Sequence, residues 1–387
     1  MALTSDDRET EGRPLIFISA AEPSADLHGA ALIRATLAKC PTARFAGVAG
    51  PKMIAEGCQP IFDMTRHSAM LLGALQAVGR AIAMLTTAEQ HLRRYPFNAA
   101  VVIDSPTLHL PLARRAQAAA IPVMYYIAPQ MWAWGAYRIH RLRNRTDRVA
   151  VILPFEEKYF RDQGVNATYV GHPLAESLAS ALIDENVVNQ IRSRGSPVIA
   201  LLPGSRRHVV KEVLHGQLEV AERIALAVPG AAFGVSVANA RVAPVIESLL
   251  SKCRVPVQPY PGRCGELIHA ADLVLVASGT AALEVAFHEK PMIVMYNTSR
   301  VFYHLIGRWL IHTPYLCLPN ILAGRKIVPE FMPYYTSTEP ISQQAIELLR
   351  SEDKRRAMEQ ELAALVEPLR SRCASERAAD MLLDMVE

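Results

Sequence analysis

The residue best placed to move a proton is an aspartate at the end of a short apolar run. Ala99–Ile103 reads as a strand that delivers Asp104 at its carboxyl end, followed by Ser105-Pro106. A carboxylate at the mouth of a parallel sheet, with apolar residues behind it, is placed to have its pKa raised by desolvation and to act as a general base. The same position also suits a simple strand-ending turn. Two further loops look built for anions. Leu202-Pro-Gly-Ser-Arg-Arg207 follows one strand and precedes a helix. Gly204 there lets the backbone approach a diphosphate, Ser205 donates to it, and Arg206 neutralises the charge of a departing group. Ala277-Ser-Gly-Thr-Ala-Ala-Leu-Glu284 repeats the arrangement, with Ser278, Gly279 and Thr280 in the turn and Glu284 about one helical turn in, where a ribose diol needs an acceptor. Tight turns alone explain the glycines but not Arg206 and Glu284 together, so the pair points to a nucleotide-sugar site.

Two other segments leave their role open. Ser19-Ala-Ala-Glu-Pro-Ser-Ala-Asp-Leu-His-Gly29 is a small, polar turn opening a helix. Ser24 and Asp26 in it suit either a helix cap or a ligand contact. It is neither GxGxxG nor GxxxxGK[ST], which argues against a dinucleotide dehydrogenase and a P-loop nucleotidase alike. Tyr125-Tyr-Ile-Ala-Pro-Gln-Met-Trp-Ala-Trp-Gly135 is aromatic and uncharged, then gives way to Arg138, His140, Arg141, Arg143, Arg145 and Arg148. Trp132 and Trp134 beside those cations read as core plus solvated face, or as an apolar slot next to a phosphate site.

The elements that must position these residues follow one rhythm. Short apolar runs at 14–20, 44–49, 99–104, 121–127, 148–153 and 167–171 alternate with helix-like stretches. After a polar stretch near 176–192, the rhythm restarts with 197–202, 231–237, 255–260, 272–277 and 291–296. This is the pattern of βαβ units around parallel sheets, and two Rossmann-like domains in tandem are expected. In such sheets ligands bind beyond the carboxyl ends of the strands, where the loops above lie.

Composition narrows the class further. The 387 residues, 51% hydrophobic and 20% charged, suffice for two domains with full cores. The formal charge of +4 is spread along the chain, against a dedicated nucleic-acid binder. The uncharged run 116–137 carries Pro122, Pro129 and Gly135 and is a poor membrane span. The N-terminus opens on acidic residues rather than a basic-then-apolar signal, so a cytoplasmic location is expected. Six scattered cysteines without a CxxC pair fit reduced thiols, and twelve histidines without HExxH or HxH spacing give no metal motif.

The ordered motifs resemble those of the lipid-A-disaccharide synthases, inverting glycosyltransferases of the GT-B fold. The resemblance runs nearly end to end through Phe45-Ala-Gly-Val-Ala-Gly-Pro-Lys-Met53, Ala128-Pro-Gln-Met-Trp-Ala-Trp134, Leu153-Pro-Phe-Glu156, Gly171-His172, the two donor loops and Leu318-Pro-Asn-Ile-Leu-Ala-Gly-Arg325. It implies two Rossmann-like domains facing across a cleft: residues 1–175 for the acceptor and lipid, residues 176–365 for the UDP-sugar, and residues 366–387 returning to the first domain. It implies transfer of 2,3-diacylglucosamine from its UDP conjugate to 2,3-diacylglucosamine 1-phosphate, with release of UDP, in the pathway to lipopolysaccharide. No cofactor and no metal are expected.

The resemblance assigns Asp104 as base and Arg206 as its catalytic partner on the donor side. It assigns Gly204, Ser205, Ser278, Gly279, Thr280, Glu284, Asn320 and Arg325 to the donor, and Ser24, Asp26, Trp132 and Arg143 to the acceptor. Expected partners are the two lipid substrates, the inner-membrane surface as a peripheral contact through 68–85 and 301–313, and a second copy of the chain.

The departures from the family pattern cluster in the first domain. Ala21 and Ala25 stand where glycines are usual, Gln76 where a glutamate is, and Thr107-Leu108-His109 where Asp-Phe-Asn is. In the second domain Val209 replaces a glutamate. Two alternatives fit the same scaffold: a UDP-sugar epimerase, which would need more acid/base carboxylates near the donor, and a non-catalytic paralogue that binds UDP-sugar or lipid.

Overall fold

A computed structural model describes residues 13–62, 74–133, 135–297 and 313–386. The chain divides into two compact units, Met1–Glu176 with Arg370–Glu387, and Ser177–Leu369. The first unit holds a seven-stranded parallel sheet: β1 (Leu15–Ala20), β2 (Arg44–Val48), β3 (Gln59–Phe62), β4 (Ala99–Ile103), β5 (Val123–Tyr126), β6 (Arg148–Val151) and β7 (Ala167–Tyr169). Their spatial order is β3-β2-β1-β4-β5-β6-β7. The second unit holds β8 (Val198–Leu202), β9 (Ala232–Val237), β10 (Val257–Pro261), β11 (Leu273–Ala277), β12 (Met292–Met295) and β13 (Glu330–Phe331), in the order β10-β9-β8-β11-β12-β13.

The central strands are continuous apolar runs because helices cover both faces of a parallel sheet. LIFISA, AAVVI, VIALL and LVLVA are buried at every position. Two strands escape a reading by periodicity. β3 is only half-buried and slips register against β2 between Gly47 and Val48, and β13 has two residues paired to β12.

The chain returns to the first unit through the helix Ala374–Leu383. Its small face, Ala374, Ala378 and Ala379 with Leu382, joins the cluster of Ala30, Ile33, Ile16 and Ile18. Lys39–Asp380 and Arg148–Asp384 ion pairs flank the contact. Alanines let the two helices approach closely, so the interface depends on small size as much as on apolarity. No helix among the described residues is long and apolar enough to cross a membrane. The 301–312 part of the proposed lipid-facing stretch and residues 68–73 of the other lie outside the described residues.

Candidate active site

In each sheet the order reverses at one place, and there the loops leaving two neighbouring strands diverge and open a crevice. In the first unit the reversal lies between β1 and β4, which are paired from Ile16–Ala99 to Ala20–Ile103. The first turn of the helix after β1 carries Ser24 and Asp26, and Asp104 follows β4 directly.

Asp104 and Ser105 both take left-handed backbone angles, with φ of 53° and 44°. For residues with a Cβ this costs about 1–2 kcal/mol each, so the turn needs compensation. The Asp104 amide donates to the Tyr126 carbonyl at 3.1 Å. Its carbonyl accepts from the Tyr125 hydroxyl at 2.6 Å and from His109 Nδ1 at 2.7 Å. A carbonyl only accepts, so His109 carries its proton on Nδ1. Its Nε2 then accepts from the Ser19 hydroxyl at 2.9 Å. Burial pushes the His109 pKa down to about 4, which keeps the ring neutral and this tautomer in place. Ile127, just past β5, is also left-handed, with φ of 63°. A β-branched residue there is a real outlier, and strain gathers at the ends of β4 and β5. The Ser105 hydroxyl is buried with no hydrogen-bond partner among the described residues.

The other expected acceptor residues have definite structural duties. Neither Ser24 nor Asp26 caps its own helix, Pro23–Lys39, whose N-cap position is Glu22 with no side-chain cap bond. Asp26 instead accepts from the amides of Gly50, Lys52 and Met53 at 2.9, 3.0 and 3.1 Å. It thereby satisfies the orphan donors at the start of helix Pro51–Ala55, and both its oxygens are engaged. Ser24 is exposed. Trp132 is buried, packs edge-on against Phe155 at 4.9 Å, and donates from Nε1 to Glu156 at 2.8 Å. Glu156 also accepts from the Ile152 and Leu153 amides at 3.1 and 2.9 Å. Burial outweighs those three donors and pushes its carboxyl up to about 7. The tryptophan thus anchors the 128–133 segment to the turn after β6; Trp134 lies outside the described residues. Arg143 is exposed, its Nε 3.4 Å from Asn144 Oδ1. Nearby, the Arg145 pKa is lowered, first by burial and then by the Arg141 and Arg114 guanidinium groups, so three cations share this surface.

Ala21 and Ala25 sit outside the left-handed region. The backbone does not require glycine at either place, and alanine is compatible with the same turn.

In the second unit the reversal lies between β8 and β11, paired from Ile199–Leu273 to Leu202–Val276. Both loops turn on glycines that need a positive φ, Gly204 at 102° and Gly279 at 139°. Val209 packs beneath the first, 3.4 Å from where a Gly204 Cβ would stand. Ser205 and Arg206 are exposed at the start of helix Arg207–Ala227, and the Ser205 carbonyl is tied down by Asn239 Nδ2 at 3.1 Å. Gly279 occupies the N-cap of helix Thr280–Phe287, with Ser278 half-buried and Thr280 exposed. Free amides at two helix starts on adjacent strands form a ready anion site.

Glu284 is half-buried, and desolvation raises its carboxyl pKa. It also helps to raise the thiol of Cys264, which burial and that charge push up to about 12. Asn320 is fully buried: its Oδ1 accepts from the Ile327 and Val328 amides at 2.8 and 3.0 Å, and its Nδ2 donates to the Val328 carbonyl at 3.0 Å. Those bonds close the loop after helix Leu318–Ala323. Arg325, in that loop, is ion-paired with Glu361. Among the described residues no group of three His, Cys, Asp or Glu is arranged to hold a metal ion.

Two parallel α/β units, each with its loops gathered at one switch point, define a protein of the GT-B class. The solved structures agree on this fold. The UDP co-structure of MnaA from S. aureus matches with a TM-score of 0.67 at 14% identity, covering 96% of this chain and 97% of that one. MurG from Acinetobacter baumannii matches with a TM-score of 0.55 at 12% identity, covering 96% of this chain and 99% of that one. Sequence relatives are closer. The lipid-A-disaccharide synthetase family matches residues 16–383. The lipid-A-disaccharide synthases of Nitrosococcus oceani and Myxococcus xanthus are 34% and 33% identical over 376 and 378 residues, covering 97% and 96% of this chain and 97% and 98% of those proteins. The chain belongs to the lipid-A-disaccharide synthetase family and is a glycosyltransferase.

Proposed function

We propose that the chain transfers 2,3-diacylglucosamine from its UDP conjugate to 2,3-diacylglucosamine 1-phosphate with inversion, forming a β-1,6 disaccharide and releasing UDP. The observation that carries this reading is the division of labour between the switch points. One presents a single strand-end carboxylate, Asp104; the other presents exposed Ser205 and Arg206, two helix starts and the half-buried Glu284. Asp104 takes the proton of the acceptor 6-hydroxyl as its oxygen bonds to the anomeric carbon. The bond from that carbon to the UDP oxygen breaks on the opposite face, and its electron pair leaves with the diphosphate. Arg206 and the amides at Ser205 and Thr280 stabilise that charge where it develops. Glu284 accepts from the ribose diol. The buried, unpartnered Ser105 hydroxyl beside Asp104 is available to the acceptor.

The acceptor phosphate pairs with the Arg114, Arg141, Arg143 and Arg145 surface. The acyl chains are met at the membrane by the start of helix Ala74–Arg94, where Val78 and Ile82 are 57% and 58% exposed one turn apart. Flotation with anionic liposomes should carry the protein upward, and absence of binding with and without anionic lipid would remove the membrane contact. Asp104→Asn is expected to lower turnover by about 10²–10⁴-fold while leaving UDP binding near normal. A variant with full rate would remove Asp104 from the role of base.

A further inference from the structure

His109 is fully buried and hydrogen-bonded to the carbonyl of Asp104, the residue proposed as base. Its two ring nitrogens span three elements. Nδ1 donates to the Asp104 carbonyl at the end of β4, Nε2 accepts from Ser19 on β1, and the ring itself rises from the first turn of helix Pro106–Ala118. Ser19 is buried and stands opposite Val102 in the β1–β4 register. The Tyr125 hydroxyl supplies the second donor to the same Asp104 carbonyl from β5. A left-handed pair of non-glycine residues would relax if this carbonyl turned away, and relaxing it would swing the Asp104 side chain.

We propose that His109, assisted by Tyr125, is a positioning residue that clamps the Asp104 carbonyl and so holds the carboxylate in register for the acceptor hydroxyl. It touches no substrate, and the inference rests on Asp104 acting as base. The neutral Nδ1–H tautomer is the working form, because only that form donates to the carbonyl and accepts from Ser19 at once. Asparagine offers the same pair of functions, one amide N–H and one carbonyl oxygen. Leucine offers neither.

The test compares His109→Leu, His109→Asn and Tyr125→Phe in steady-state kinetics on the full chain, with UDP binding and thermal unfolding as controls. His109→Leu is expected to lower kcat by about 30-fold or more with the KM for the UDP-sugar within about 2-fold of wild type, and His109→Asn to recover most of that kcat. Tyr125→Phe, which keeps the buried ring, is expected to lower kcat by about 5–10-fold with the same unchanged KM, and it decides the matter if His109→Leu does not fold. Loss of thermal stability with kcat retained in His109→Leu and Tyr125→Phe would overturn the proposal and leave a purely structural histidine. Failure of the base assignment has a different signature: Asp104→Asn would then turn over at the wild-type rate.

Discussion

The two switch points solve opposite problems with the same topology. In the second unit the loop after β8 is held by Val209 packed against Gly204 and by Asn239 on the Ser205 carbonyl. Ser205, Arg206 and Thr280 are exposed at the two helix starts, as a polyanion requires. In the first unit the polar groups around the crevice are largely spent on the protein itself. Asp26 binds three amides of a neighbouring helix, Trp132 binds Glu156, and Ser19 and His109 are locked together. The Ser19–His109 pair, with the Tyr125 hydroxyl, holds the carbonyl of Asp104. In the proposed reaction, one unit offers many moderate contacts to bind charge, and the other fixes the backbone of a single acid/base group.

If that contrast is right, substitutions in the two units should fail in different kinetic parameters. The largest effect in the second unit is expected from Arg206→Ala, which should reduce kcat by about 10²–10³-fold if, as proposed, it faces charge that develops only as UDP departs. Single-turnover rates measure this directly, and a change confined to KM would move Arg206 to ground-state binding. Next comes Glu284→Gln, which keeps the shape but weakens a charge-assisted hydrogen bond. The KM for the UDP-sugar should rise about 10-fold or more with kcat little changed, as expected for a bond of about 1.5–3 kcal/mol made equally in ground and transition states. Equal loss in kcat would place Glu284 in the chemistry.

The smallest effect separates the units by acid sensitivity. His28, His109 and His172 all lie in the first unit and all have pKa values depressed chiefly by burial, the latter two to about 4. A histidine held neutral in the fold binds a proton more readily when unfolded. Its contribution to stability is therefore complete above the unfolded value of 6.5 and is lost as the pH falls towards 4. Hydrogen exchange read by mass spectrometry between pH 6.5 and 4 should show the first unit losing protection earlier. Simultaneous loss, or earlier loss in the second unit, would contradict this.

The contrast also explains what was legible in the sequence. The eleven strands anticipated from apolar runs are all present; most are buried on both faces and announce themselves by composition, while β10 is half-buried. β3 and β13 were not, being short, half-buried and held by pairing rather than by burial. In the second unit Gly204, Arg206, Gly279 and Glu284 lie at the strand–helix junctions where the sequence places them, since glycine and charge there act locally. In the first unit the sequence places Asp104 at the end of its strand but does not show what holds it. Ser19, His109 and Tyr125 lie up to 106 residues apart and meet only through the β1–β4–β5 register. A serine inside an otherwise apolar strand was the one available signal. Asp26 and Asn320 are polar residues in motifs whose bonds run to distant backbone groups, which a local pattern does not reveal.

The most direct test of the account is to incubate the protein with the acylated UDP-sugar and the diacylglucosamine 1-phosphate, and to follow all species by mass spectrometry. UDP and the β-1,6 disaccharide are expected in equal amounts, each dependent on both substrates. UDP without disaccharide, a sugar nucleotide epimerised in the absence of acceptor, or binding without turnover would contradict this expectation.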